Sequence, residues 1–146
     1  MALGAHHVVD HSKPLAPQME TLGTRAPAFV FSTTQTNQHF EDIVDLIAPQ
    51  GRFALIDDPD PFDVRKFKRK SISLHWEFMF TRSMFKTDDM GSQHELLAQV
   101  SGLVDAGRLK TTLAVNLGSI NATNLRRAHA LIEGGKSKGK IVLEGF

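Results

Sequence analysis

Several short stretches of the chain carry side chains able to do chemistry. The histidines of "HHVVDH", His6, His7 and His11, invite a metal, since neutral imidazole is a common zinc ligand. Read as a strand, the stretch puts His7 and His11 on one face about 13 Å apart at about 3.3 Å per residue, too far to share one ion. "HELLAQ" supplies His94 and Glu95 but no second histidine, so the H-E-x-x-H zinc helix is absent. "GGKSKGK" fits G-x-x-x-x-G-K from Gly134 to Lys140, as a phosphate loop would. Ile141 stands where Ser or Thr should meet Mg²⁺, and the order helix, loop, strand is the reverse of a P-loop, so a solvated helix-end turn is the better reading. "VRKFKRK" gathers cations around Phe67 and could touch phosphates; before a strand it reads as a solvated loop or edge guard.

Polar clusters matter more where they follow buried strands. "STTQT" after "FVF" and "DDP" after "ALI" would sit at the carboxyl ends of parallel strands, where open α/β sheets bind ligands. The same residues also cap helices and make turns.

Composition narrows the field. The 146 residues hold 17 Lys plus Arg against 16 Asp plus Glu, a net charge of +1 that gives no global field for nucleic acid or an anionic membrane. With no cysteine, disulfides, Cys-ligated zinc and thiol catalysis are excluded together. No signal-like N-terminus and no apolar run of about 18 residues is present, so a soluble, cytoplasmic protein is expected.

The elements that must position these clusters alternate. His6–His11 is predicted as a strand, followed by a short helix with Leu15, Met19 and Leu22 on one face, ending at Gly23. "PAFVFSTT" predicts a central strand covered on both faces. "TNQHFEDIVDLIAPQG" predicts a helix with Phe40, Ile43, Val44 and Ile47 inward and Asn37 as its cap. "RFALIDDP" and "SISLHWEFMF" follow as strands. A helix opens on the capping-box pattern Ser92-x-x-Glu95, with Leu96, Leu97, Val100, Leu103 and Val104 inward. "TTLAVNLGSI", a helix capped by Asn121, and "GKIVLEGF" complete the chain. This is the βαβ rhythm of a parallel α/β sheet with right-handed crossovers.

The succession "LGAHHVVDHSKPL", "FVFSTT", "LIAPQGRFALIDDP", "KSISLHWEFMFTRSMF" and "NLRRAHALIEGGKSKGKIVLEGF" resembles the C-terminal half of medium-chain dehydrogenase/reductases. It resembles in particular the zinc-type alcohol dehydrogenase-like proteins close to quinone oxidoreductases. The resemblance implies strands equivalent to Rossmann strands three to six, with residues 1–110 an incomplete nucleotide-binding domain and 111–146 the C-terminal segment of a substrate domain. It implies hydride transfer from NADP(H) to a ketone, quinone or enone. His11 and Ser12 match the adenosine side of the cofactor. Ser32, Thr33 and Thr34 match the loop after the fourth strand, Ile56 and Asp57 the loop after the fifth, and Phe78, Met79 and Phe80 the segment beside the nicotinamide. All are binding-wall positions, and none is catalytic or a metal ligand.

The first two Rossmann strands and the G-x-G-x-x-G turn that holds a pyrophosphate do not occur in this sequence. Cofactor binding by this chain alone and a zinc site are therefore not expected. In the strand order 3-2-1-4-5-6 the missing strands lie between "HHVVDH" and "AFVFSTT". Either the first strand re-pairs beside "AFVFS", or another chain covers the open edge. A homo-oligomer built through these edges is expected, with a complementing N-terminal chain as a further possible partner. A non-catalytic α/β association module is the alternative function.

Overall fold

Apolar runs bounded by Pro27, Gly51 and Ser71 form three short parallel strands in the computed structural model, which describes residues 3–135 and 137–145. These are β1 (Phe29–Ser32), β2 (Arg52–Leu55) and β3 (Ser73–Trp76), in the order β1-β2-β3. Their register sets Ser32, Leu55 and Trp76 side by side at the carboxyl ends. Helix α1 (Leu15–Thr21) precedes β1, α2 (Thr36–Leu46) joins β1 to β2, and a 3-10 helix (Val64–Lys70) joins β2 to β3. The predicted apolar stripe of α2 is the core: Phe40, Ile43 and Ile47 pack with Phe53, Leu55 and Phe67, and Val44 lies against them. Phe40 and Phe53 each meet the Phe67 ring edge-on, at 5.3 and 5.5 Å.

The chain divides into two compact units between Met90 and Gly91, ahead of the 110/111 boundary that the resemblance implies. The second contains α4 (Ser92–Asp105), β4 (Leu113–Ser119), α5 (Ala122–Glu133) and β5 (Lys140–Glu144), with β4 and β5 parallel. A short helix, α3 (Thr81–Phe85), closes the first unit. Asn121 caps α5 as expected, its side chain accepting from the Asn124 amide at 2.9 Å. No helix among the described residues is long and apolar enough to cross a membrane.

Several expectations are corrected. His6–His11 is not a strand, because no neighbouring strand offers it a ladder. Its backbone turns to local partners instead: Asp10 N–H donates to Gln18 Oε1 at 2.8 Å, and the Asp10 carboxylate accepts from Ser12 N–H and Oγ–H. β1 is an edge strand and is covered on one face only, leaving Phe29 71% and Phe31 59% exposed. Asn37 does not cap α2; Gln35, at φ 57°, holds that position, and the Asn37 amide pairs with the backbone of Asp60. The capping box at Ser92 is not formed, since α4 starts at Ser92 behind Gly91 with no side-chain cap. Leu96, Leu97, Val100 and Val104 stand exposed, and only Leu103 of the predicted apolar face is half-buried.

The cationic stretch is also more committed than a solvated loop. Phe67 is a core residue, Lys66 pairs with Glu41, and Arg65 with Asp63. Lys70 Nζ donates to the carbonyls of Val44, Asp45 and Ile47 at 2.9, 2.7 and 2.9 Å, capping the last turn of α2. The glycine-rich stretch leads from the end of α5 into β5, with Gly135 and Gly139 in the left-handed region; Lys136 of that stretch and Phe146 of the last strand lie outside the described residues.

Candidate functional site

The parallel ladder brings the segments after β1, β2 and β3 out on one edge. Ile56 N–H donates to Ser32 O at 3.2 Å and Glu77 N–H to Leu55 O at 3.0 Å, so the register holds past the strand ends. Ser32, Thr33, Thr34, Ile56, Asp57 and the Phe78–Phe80 segment therefore all leave the sheet on its carboxyl side. Thr33, Thr34 and Ile56 are exposed there, and Asp57 is half-buried.

At the centre is Thr36, fully buried, the last residue of the "STTQT" cluster but not among the positions matched to the cofactor wall. Its hydroxyl donates to Asp57 Oδ1 at 2.5 Å and its amide to Asp57 Oδ2 at 3.0 Å. Since that single hydroxyl proton goes to the carboxylate, Ser32 Oγ is the donor in its 2.7 Å bond to Thr36 Oγ1. A directed chain runs from Ser32 through Thr36 to Asp57, linking the ends of β1 and β2 to the start of α2. Asp57 thus serves as the N-terminal cap that Asn37 does not provide, with a negative charge at the positive end of the helix. Burial pushes the Asp57 carboxyl up, but the Thr36 hydroxyl and amide outweigh it and hold the pKa below the usual aspartate value. Asp57 is an ionised acceptor at neutral pH and has no proton to give. The spacing signal was present: a Ser and a Thr four residues apart across a strand-to-helix junction, with an Asp closing the next strand.

The aromatic segment lies beyond β3. Phe78 and Phe80 meet edge-on at 5.5 Å, and Met79 is exposed between them. A shallow cleft there is lined by Trp76, Phe78, Thr81, Arg82, Thr87 and Asp89. Arg82 Nε donates to Asp89 Oδ2 at 2.8 Å, and Thr87 Oγ1 to Asp89 Oδ1 at 2.6 Å. The Thr87 hydroxyl and then the guanidinium lower the Asp89 pKa.

His11 and Ser12 are grouped differently. They line a hollow with Gln38, His39 and Asp42, on the first turns of α2, and the His11 ring meets the His39 ring at 6.1 Å. The structure thus gathers eight of the sequence-predicted positions at the strand ends and sets these two against α2. Among the described residues, no three His, Asp or Glu side chains gather as metal ligands. The edge offers acceptors, hydroxyls and apolar walls suited to holding a ligand.

Comparison with known proteins gives a consistent picture. A family model described as zinc-binding dehydrogenase matches residues 3–143. A zinc-type alcohol dehydrogenase-like protein of Staphylococcus epidermidis is 29% identical over 97% of the chain, which spans only 42% of that relative. A solved structure from Rhizobium etli CFN 42, named as a zinc-dependent alcohol dehydrogenase protein, is 63% identical over 99% of this chain and 42% of its own, with a TM-score of 0.88. CurA of Vibrio vulnificus, solved with NADPH, shares the fold at 18% identity, covering 98% of this chain and 44% of its own, with a TM-score of 0.69. The chain spans less than half the length of these relatives.

Proposed function

Because the chain belongs to the zinc-binding dehydrogenase family, we propose that it is the C-terminal part of an NAD(P)H-dependent oxidoreductase acting on a ketone, quinone or enone. The observation that carries this reading is the alignment of three parallel strand ends around the Ser32–Thr36–Asp57 chain, the place where an open α/β sheet takes its ligand.

The residues present fit one wall of a dinucleotide site. When bound, NAD(P)H supplies the hydride. Ser32, Thr33 and Thr34 border it after β1, and Ile56 and Asp57 after β2. Thr36 fixes the Asp57 carboxylate, so that it meets the ligand as an acceptor of set direction. Phe78, Met79 and Phe80 give the apolar flank that excludes water beside the reacting ring. His11 and Ser12, against α2, are assigned to the adenosine side. The glycine turn for the pyrophosphate is not in this sequence, and zinc does not fit the described residues, so no step is assigned to a metal.

Two proteins test the reading: the 146-residue chain alone, and a chimera in which it replaces the matching segment of the Rhizobium etli protein. NADPH oxidation is followed with a quinone, an enone and a ketone as acceptors. The chain alone is expected to be inactive and the chimera active. A folded chimera that oxidises NADPH with none of them overturns the proposal in favour of a non-catalytic association module.

A further inference from the structure

We propose that the cleft between the 3-10 helix and the last turns of α2 binds a small phosphate monoester that carries hydroxyl groups, such as a sugar phosphate. The cleft has a volume of about 440 Å³ and is lined by Val44, Asp45, Lys66, Arg69 and Lys70. That volume is in the range of small-molecule sites. All five residues belong to the compact unit Met1–Met90. Val44 lies about 12 Å along α2 from Thr36, at about 1.5 Å per residue, which sets the cleft at the amino end of the sheet and apart from the cofactor wall.

The 3-10 geometry sorts the cations of "VRKFKRK". With about three residues per turn, side chains three positions apart stand over one another. Phe67 goes to the core, and Arg65 Nε and Nη2 donate to the two Asp63 carboxylate oxygens at 2.7 and 2.8 Å. Lys66 and Arg69, one turn apart, share the wall of the cleft. Lys70 directs all three ammonium donors to the carbonyls of Val44, Asp45 and Ile47, so it gives the cleft charge and no hydrogen bond. Lys66 uses one donor on Glu41, in an exposed pair of the kind that contributes little and that a dianion can displace. Arg69 is exposed and makes no ion pair or side-chain hydrogen bond among the described residues. Packing and capping account for Phe67 and Lys70; they leave Arg69 without a part in the fold.

The donors set the class of ligand. A guanidinium fork with an ammonium one turn away matches the three oxygens of a phosphate monoester better than the two of a carboxylate. Three cations, Lys66, Arg69 and Lys70, stand against two carboxylates, Glu41 and Asp45, a balance that suits one phosphate group and not a polyphosphate. The Asp45 carboxylate in the same wall is an acceptor for a ligand hydroxyl. Nucleic acid fits less well, because the one aromatic ring of the stretch, Phe67, is buried and cannot stack on a base, and Arg65 is held by Asp63.

The test is a ¹H–¹⁵N NMR titration of the 146-residue chain with ribose 5-phosphate, inorganic phosphate and ribose in separate arms. Ribose 5-phosphate is expected to give saturable shifts at the amides of Val44, Asp45 and residues 66–71, with a dissociation constant of about 1 mM or below. Inorganic phosphate should bind more weakly at the same amides, and ribose should not bind. Arg69→Gln should weaken the ester about ten-fold or more, whereas Lys68→Gln, an equal change of charge on an exposed side chain off the cleft, should leave it within about two-fold. Circular dichroism checks that both variants keep the fold. The same pair of variants is compared by calorimetry in the chimera with the Rhizobium etli protein, so the result does not depend on the chain folding alone. The proposal is overturned if neither phosphate arm saturates by about 10 mM, if inorganic phosphate binds as tightly as the ester, or if Lys68→Gln costs as much as Arg69→Gln. It also falls if a single-stranded RNA shifts these amides and ribose 5-phosphate does not. Neither NADPH nor an acceptor enters the measurement, so its outcome is independent of the hydride-transfer assay.

Discussion

Thr36 holds three polar groups at once in a dry site: the Ser32 hydroxyl, its own amide and the Asp57 carboxylate. Removing its side-chain oxygen strands the Ser32 hydroxyl and Asp57 Oδ1 while the amide keeps Asp57 Oδ2, and a buried polar group left without its partner costs about 1–3 kcal/mol. Thr36→Val, nearly the same shape, should therefore lose about that much in urea unfolding, while Thr36→Ser should lose much less. Equal losses in both would mean that packing of the methyl group, and not the hydroxyl relay, stabilises the junction. Asp57 adds a pH dependence. Its folded pKa is lowered, so its contribution is fully present above the unfolded value of about 3.9 and fades as pH falls toward the folded pKa. Asp10 and Asp63 are lowered to about 2 by their own neighbours, Ser12 and Arg65, and add acid dependence of the same sign. The difference between wild type and Asp57→Asn isolates Asp57: the variant should be less stable at neutral pH, and the gap should narrow below about pH 4. A gap that stays constant down to pH 2.5 to 3, about a unit below the unfolded value, would show that the carboxylate's charge does not matter.

At the scale of the element, α2 shows what periodicity reveals and what it hides. Its inward stripe of Phe40, Ile43 and Ile47 was legible because burial repeats every three to four residues. Its stop ahead of Pro49 and Gly51 was legible too, but the side chains that cap its ends were not. The N-terminus is held by Asp57, from the loop after the next strand, and the C-terminus by Lys70, at the end of the 3-10 helix. Both caps are distant in sequence, and local rules see only neighbours. The same limit explains "HHVVDH", whose β-branched pair favours a strand only where a partner strand exists. Lys70→Met keeps the stem and deletes the ammonium, leaving three carbonyls of the last turn without their donor; a loss of about 1–3 kcal/mol is expected. Lys70→Arg should recover part of it, and no change in either variant would mean that water replaces the cap. Gly51, readable with Pro49 as the stop of α2, is also a steric constraint that the pattern alone does not show. A Cβ there would stand 2.7 Å from Ala48 O and from Ile47 Cγ1, so Gly51→Ala should shift the α2–β2 turn and cost about 1–3 kcal/mol by the same unfolding measurement.

For the whole molecule, the question is how much of the proposed cofactor site these residues supply, given that the chain spans less than half of its relatives. The strand ends supply hydroxyls, one fixed carboxylate and an aromatic flank, which together can hold a ring or a ribose. They supply little for the pyrophosphate, whose charge needs backbone amides at a helix N-terminus behind a glycine turn. The start of α2, at this edge, is already occupied: the Thr36 amide donates to Asp57, whose negative charge repels a phosphate. A net charge of +1 offers no compensating field. Calorimetric titration of the 146-residue chain with NADPH should therefore show no saturation in the low-micromolar range, and Asp57→Asn alone should not restore it, since removing a repulsive charge does not build a cradle. A low-micromolar dissociation constant for the chain by itself would mean that the phosphates are held by residues outside the strand ends, and would move the adenosine side of the site away from His11 and Ser12.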